Sequence, residues 1–250
     1  MLRYEYKYFV PYARLPRLRA MLKPFMELDP QASRHGGEYT VRSIYFDTPD
    51  WECYFQKVTG VKRRNKVRLR GYNFGDADSQ VFFEIKKKVD DPLYKHRTSL
   101  SYEEAQQVLL GKPLEDVVFS TNRNADAGDE ARRFLYHLRA RQMRPVITVI
   151  YEREPYQAVF QDKENDLRVT FDKNLRAVAN PSLDELFAEK HPRRIEQQHF
   201  ILEVKFNRYI PNWIKAVITS CELTKASASK YVLCVEAFPE IRECRKNFCS

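Results

Sequence analysis

The feature that most constrains this chain is a two-residue alternation of charged and apolar side chains that returns in segment after segment. Residues 66–72, KVRLRGY, set Lys66, Arg68 and Arg70 against Val67 and Leu69. Successive side chains of a strand point to opposite faces, so the pattern predicts a strand with one cationic and one aliphatic face. Residues 3–8 alternate Arg3, Glu5 and Lys7 with Tyr4, Tyr6 and Tyr8, and 81–88, 94–100, 167–172 and 201–206 follow the same rule. Residues 41–47 and 145–153 read as further strands of more apolar character.

Helical periods are fewer. Residues 12–26 follow one loosely, and 129–142 and 211–222 read as amphipathic helices. Ser101-x-x-Glu104 and Ser182-x-x-Glu185 have the spacing of capping boxes that open helices over 102–110 and 183–190. Many strands with a few interspersed helices predict an α+β fold built on an antiparallel sheet or barrel. No internal repeat divides the chain, the polar stretch 120–129 reads as a loop, and 1–250 is expected to be a single domain.

Several classes are disfavoured. The seven glycines never fall as GxGxxG or GxxxxGK[ST], which argues against a dinucleotide fold and a P-loop. The five histidines show no HExxH, and no Ser, Cys or Thr sits in a nucleophile motif such as GxSxG. No stretch approaches the roughly 20 apolar residues of a spanning helix, and MLRYEYKYFV lacks the apolar centre of a secretory signal. The five cysteines show no paired spacing, so reduced thiols in a cytoplasmic protein are expected.

The charged strand faces carry the chemistry. Together they hold Arg3, Glu5, Lys7, Arg68, Arg70, Glu84, Lys86, Lys95, Arg97, Arg153, Arg168, Asp172, Glu203 and Lys205, ten cations against four acids. A solvated face is the ordinary reading for any one such strand. The set is different, because cations dominate it and Glu-x-Lys recurs as Glu5-Lys7, Glu84-Lys86 and Glu203-Lys205. If the sheet closes on this face, the charges need a ligand to offset their desolvation. A polyanion with a divalent cation satisfies both signs: Arg and Lys take phosphate oxygens, and carboxylates hold Mg²⁺ or Mn²⁺. The net charge of +9 favours an anionic partner.

The segments EYKYFV, SIYFDTPDWECYFQKVTGVKRRNKVRLRGY, FFEIKKK, RPVITVIYEREPY, DLRVTFDKNL, ILEVKF and SKYVLCVEA resemble, in order, the VTC domain. This is the polyphosphate polymerase domain of the vacuolar transporter chaperone complex and its bacterial relatives. The resemblance implies a triphosphate tunnel fold, an antiparallel β-barrel that encloses a basic tunnel with flanking helices. It matches Lys7, Arg68, Arg70, Lys86, Arg153, Arg168 and Lys230 to catalytic phosphate-binding positions and Glu203 to the metal-binding carboxylate, with Glu84 as a second metal candidate. Glu5, Lys95, Arg97 and Lys205 are expected to assist substrate binding. The hydrolytic members open with ExExK, whereas here Arg3 replaces the first Glu, which leans toward the polymerase branch. A further basic position of the family falls on Ser227, for which Lys225 is a possible stand-in.

The expected activity is transfer of the γ-phosphoryl of ATP to a growing polyphosphate, with Mn²⁺ or Mg²⁺ as cofactor. Such chemistry needs positioning and charge neutralisation and no protein nucleophile. Alternatives are a tripolyphosphate or nucleoside triphosphate hydrolase and a non-catalytic polyphosphate-binding module. Nucleic acid is not expected as a partner, no membrane span is expected, and any membrane association would come through a partner protein.

Overall fold

The structure is a computed structural model that describes residues 4–88, 93–117, 127–160 and 166–243. Arg3, most of the 120–129 loop, Cys244 and Cys249 lie outside the described residues. The elements are β1 (Tyr4–Pro11), α1 (Leu15–Leu22), β2 (Met26–Leu28), α2 (Pro30–Ser33), β3 (Tyr39–Asp47), α3 (Glu52–Val58), β4 (Arg64–Tyr72), β5 (Gln80–Lys88) and β6 (Leu93–Ser101). They continue with α4 (Tyr102–Leu110), α5 (Ala127–Ala140), β7 (Arg144–Ala158), β8 (Leu167–Ala179), β9 (Arg193–Arg194), β10 (His199–Phe206), α6 (Asn212–Ser220), α7 (Lys230–Glu236) and α8 (Pro239–Glu243). This is the expected α+β architecture, an antiparallel sheet with flanking helices.

The chain divides into two compact units, one formed by 1–40, 151–175 and 194–229, the other by 41–150, 176–193 and 230–250. In the first, the strand order is β1-β10-β8-β7, and β2 pairs with β7. Its core lies on the apolar face of those strands: Tyr8, Val10, Val169, Phe171, Leu202 and Val204 pack with Leu18 and Leu22 of α1 and Ile214 and Val217 of α6. The period-two rule then turns Glu5, Lys7, Thr170, Asp172, Glu203 and Lys205 to the opposite face. In the second unit, strands β3, β4, β5 and β6 follow one another as neighbours. Val67, Leu69, Phe83, Ile85 and Leu100 are buried there. The ring of Phe83 stacks on Phe134 of α5 with centroids 4.3 Å apart.

Two expectations need correction. Residues 12–26 hold a 3₁₀ turn at Tyr12–Arg14, the helix α1 with Pro16 in its first turn, and the start of β2. Pro24 cannot continue a helix, so α1 ends before it. Residues 183–190 form only the 3₁₀ turn Leu183–Glu185, although the Ser182–Glu185 capping box is made. The Tyr102 hydroxyl donates to Leu183 O at 2.9 Å and accepts from Leu186 N at 3.1 Å, occupying groups that a helix would bond internally. Phe187 instead packs onto β4, where a Cβ at Gly71 would stand 2.7 Å from its ring. Glycine directly after Arg70 admits that close approach.

Candidate functional site

Antiparallel pairing of two Glu-x-Lys strands sets each acid opposite a base. In the first unit Glu5 faces Lys205 and Lys7 faces Glu203 across β1 and β10. Lys7 Nζ lies 2.8 Å from Glu5 and 3.4 Å from Glu203, and Lys205 Nζ lies 3.0 Å from Glu203 and 3.9 Å from Glu5. Arg153 of β7 completes the cluster with a two-pronged bond to Asp172, both arms 2.7 Å, and a contact of 3.4 Å to Glu203. Three cations thus meet three carboxylates, and Asp172 and Glu203 are buried. Arg168 shares a register row with Lys205, but its guanidinium is half exposed and paired with Asp29 at 3.0 Å. Lys225 places its ammonium 3.7 Å over the ring of Tyr6, a neighbour that points away from Lys7 along β1. It therefore does not stand in for the missing base on the charged face. Ser227 is exposed.

The other face of β7 and β8 carries a separate knot that the sequence reading missed. Glu154 accepts from Arg19 at 2.8 and 2.6 Å, from Lys173 at 2.7 Å and from the Tyr156 hydroxyl at 2.5 Å. Burial alone would raise the Glu154 pKa, but these donors bring it down to about 2. Lys173 also pairs with Glu38.

The second unit is arranged in rows. Register across β3, β4, β5 and β6 aligns Tyr45, Arg68, Glu84 and Arg97, and beside them Ser43, Arg70, Phe82 and Ser99. Glu84, whose exposure is 0%, is the hub. Arg68 donates to it at 2.8 and 2.5 Å, Lys95 approaches to 3.2 Å, Arg97 to 3.4 Å and Arg70 to 4.0 Å. Burial would raise the Glu84 pKa, yet Arg68, Arg70, Lys95 and Lys86 hold it well below the usual carboxylate range. The Tyr72 phenol is destabilised as an anion by burial, but Arg70, Arg97 and Arg68 still draw its pKa below the ordinary value. Arg68 and Arg70 thus act on both groups.

The cations are held in place. Arg68 donates a further bond to the Tyr45 hydroxyl at 2.8 Å, Arg70 donates to Ser43 at 3.2 Å, and Arg97 lies 3.6 Å over the Phe82 ring. The Tyr45 ring stacks on Tyr231 at 5.0 Å, and the Tyr231 hydroxyl donates to buried Asp47 at 2.5 Å. Asp47 in turn accepts from the backbone N–H groups of Cys53 and Tyr54 at the start of α3. Lys230, which opens α7 beside Tyr231, is buried. Tyr45 and Tyr231 were not expected at the site; the signal was the register partner of Arg68 inside a segment that reads as apolar.

Among the described residues no group of three or more His, Cys, Asp or Glu gathers in a metal-holding arrangement. Of the two expected metal carboxylates, Glu84 is committed to Arg and Lys partners, whereas Glu203 stands near Glu5 through the shared Lys7 and Lys205. Carboxylates suit Mg²⁺ or Mn²⁺, which often keep only one or two protein ligands and take the rest from phosphates and water.

The fold and its charged faces define a class: an α+β protein whose antiparallel sheet gathers guanidinium and ammonium groups around buried carboxylates. Within that class, residues 2–238 match the VTC domain, and the chain belongs to that family. A comparison with curated proteins finds no match. Solved structures do match, among them the Hippeastrum protein HpAC1, described as having a dominant triphosphatase activity. It is similar at 16% identity and a TM-score of 0.42, over 95% of this chain and 96% of that one.

Proposed function

We propose that the chain extends inorganic polyphosphate by transferring the γ-phosphoryl group of ATP to the chain end. A terminal phosphate oxygen of the acceptor forms the new P–O bond, the bond from the γ-phosphorus to the bridging oxygen breaks, and ADP leaves. The observation that carries the reading is the convergence of Arg68, Arg70, Lys95 and Arg97 on Glu84, with membership of the VTC family as its context.

In this reading the guanidinium groups of Arg68, Arg70 and Arg97 take phosphate oxygens, and Lys86 and Lys95 neutralise charge as the bond breaks. Glu84 serves as the counter-ion that holds these cations in position before substrate arrives, in place of the metal role expected from sequence. Tyr45 fixes the Arg68 guanidinium. In the first unit Lys7, Arg153 and Lys205 hold Glu203 oriented, and Glu203 with Glu5 supplies the hard oxygen donors suited to Mg²⁺ or Mn²⁺. Such an ion, when bound, would supply positive charge to offset that of phosphate oxygens. Arg168 would exchange Asp29 for a phosphate oxygen, and Lys230 remains assigned to phosphate by family resemblance. A cytoplasmic setting and a membrane-protein partner that receives the product belong to the same proposal. No helix among the described residues is long and apolar enough to cross a membrane.

Incubation with ATP and Mn²⁺ or Mg²⁺, followed by electrophoretic sizing of phosphate products, tests this. The expected result is ADP together with phosphate chains that lengthen with time. Orthophosphate without chains would instead mark a hydrolase, and tight binding without turnover a binding module.

A further inference from the structure

Between Glu52 and Asp76 the chain holds seven cations and no acid. Lys66, Arg68 and Arg70 belong to the charged strand face, whereas Lys57, Lys62, Arg63 and Arg64 have no part in the phosphate-binding reading. These four surround the end of α3. Phe55 and Val58 stand three residues apart and share a side of that helix. At its C-terminus the Thr59 N–H donates to Phe55 O at 2.8 Å, and the Val61 N–H reaches back to Gln56 O at 3.1 Å. Gly60, with φ at +73°, permits the reversal. The turn thus carries Val61 back to the helix end that bears Phe55 and Val58. Arg64 closes it, donating to Val61 O at 2.9 Å. All of these residues lie in the second unit.

A single exposed apolar side chain needs no explanation. Here Phe55, Val58 and Val61 are 52%, 52% and 44% exposed at one helix end. Beside them Lys62 and Arg63 are exposed, and Lys57 and Arg64 are half-buried. The acids that flank α3 are engaged elsewhere. Glu52 pairs with Arg141 at 3.0 Å, and Glu236 of α7 accepts from the Tyr54 hydroxyl at 3.4 Å, to which Arg242 also donates. A free polyanion would use the cations and gain nothing from the apolar side chains. An anionic lipid surface uses both: apolar groups enter the boundary between headgroups and acyl chains, while Lys and Arg stay at the level of the lipid phosphates.

We propose that the end of α3 and the turn into β4 dock this chain directly on an anionic membrane surface, with Phe55, Val58 and Val61 as the inserted groups and Lys57, Lys62, Arg63 and Arg64 as the electrostatic anchor. The contact is with lipid itself, beyond the partner-mediated association expected from sequence, and it does not depend on which phosphate reaction the chain performs.

Co-sedimentation of the full chain, without ATP, with vesicles of phosphatidylcholine alone and of phosphatidylcholine mixed with phosphatidylserine tests this. Wild type binds the mixed vesicles and not phosphatidylcholine alone. The double variant Lys62→Gln, Arg63→Gln binds the mixed vesicles roughly thirtyfold more weakly, since each basic residue near an anionic surface contributes about fivefold. Phe55→Ser weakens the same binding roughly tenfold. Leu110→Ser, which alters an exposed apolar residue outside this segment, leaves it unchanged. Equal binding of wild type to both vesicle types, or to neither, overturns the proposal. So does full binding by Phe55→Ser, or a loss in Leu110→Ser equal to that in Phe55→Ser. A double variant that loses affinity for tripolyphosphate in solution while keeping its vesicle binding would assign the turn to steering free phosphates, and would overturn it as well.

Discussion

In the first unit Lys7, Arg153 and Lys205 meet Glu5, Asp172 and Glu203, whereas in the second the acid that the described ion pairs place among Arg68, Arg70, Lys95 and Arg97 is Glu84. Both clusters come from the same period-two pattern on antiparallel strands. Their difference lies in the count of acids. Where acids and bases match, each charge is satisfied by protein, and removing one leaves its partner buried and unmatched. Where four cations share one carboxylate, removing one cation relieves repulsion as well as losing attraction. The two clusters should therefore answer the same kind of mutation differently.

The largest expected effect is in the first unit. Arg153→Ala strips the buried Asp172 carboxylate of its two-pronged partner and removes one neighbour of Glu203. Loss of one partner from a buried pair typically costs about 3–5 kcal/mol. Urea unfolding of the variant should show a loss of that order. A change under about 1 kcal/mol would mean that Asp172 is not held by Arg153, and the contrast between the clusters would fail.

Acid should find the first unit next. Glu154 has its pKa depressed from 4.5 to about 2 in the folded state. A depressed carboxylate contributes stability that is present above its unfolded pKa and is lost as pH falls through the folded one. The shift corresponds to roughly 3 kcal/mol, lost progressively from about pH 4.5 down through pH 2. Glu154→Gln should be less stable at neutral pH and should lack this segment of the pH profile. An unfolding free energy with the same acid slope in both proteins would assign acid sensitivity to other carboxylates.

The alternation in 3–8, 66–72, 81–88 and 201–206 was legible because strand period depends only on neighbouring residues, and those strands fold as expected over their described parts. The charged faces could be listed from that period. What pairs with what could not, because cross-strand partners depend on register. Sequence placed Glu84 beside Lys86, but register puts it between Arg68 and Arg97 and makes it the hub of the cations. The same limit hid Tyr45, which reads as a core aromatic until Arg68 is set opposite it. The helix over 183–190 failed for a related reason. Its capping signal is local, while the hydroxyl of Tyr102 that ends the turn comes from far along the chain.

The smallest expected effect on stability is in the second unit, and it sharpens the comparison most. The side chains of Lys95 and Arg97 are 40% and 34% exposed, so solvent screens their attraction to Glu84, and exposed pairs are worth about 0–1 kcal/mol. Each of Lys95→Gln and Arg97→Gln leaves three cations on Glu84. Neither should lower the unfolding free energy by more than about 1 kcal/mol, and a small gain is consistent with relieved repulsion. Their binding phenotype should be large by contrast. A ligand at a hundred times its Kd stabilises the folded state by about 2.7 kcal/mol, and a tenfold weaker Kd reduces this to roughly 1.4 kcal/mol. Thermal unfolding with and without tripolyphosphate reads both quantities in one experiment. If Lys95→Gln or Arg97→Gln destabilises the free protein as much as Arg153→Ala does, the cations of the second unit are structural partners of Glu84 and not a waiting anion site.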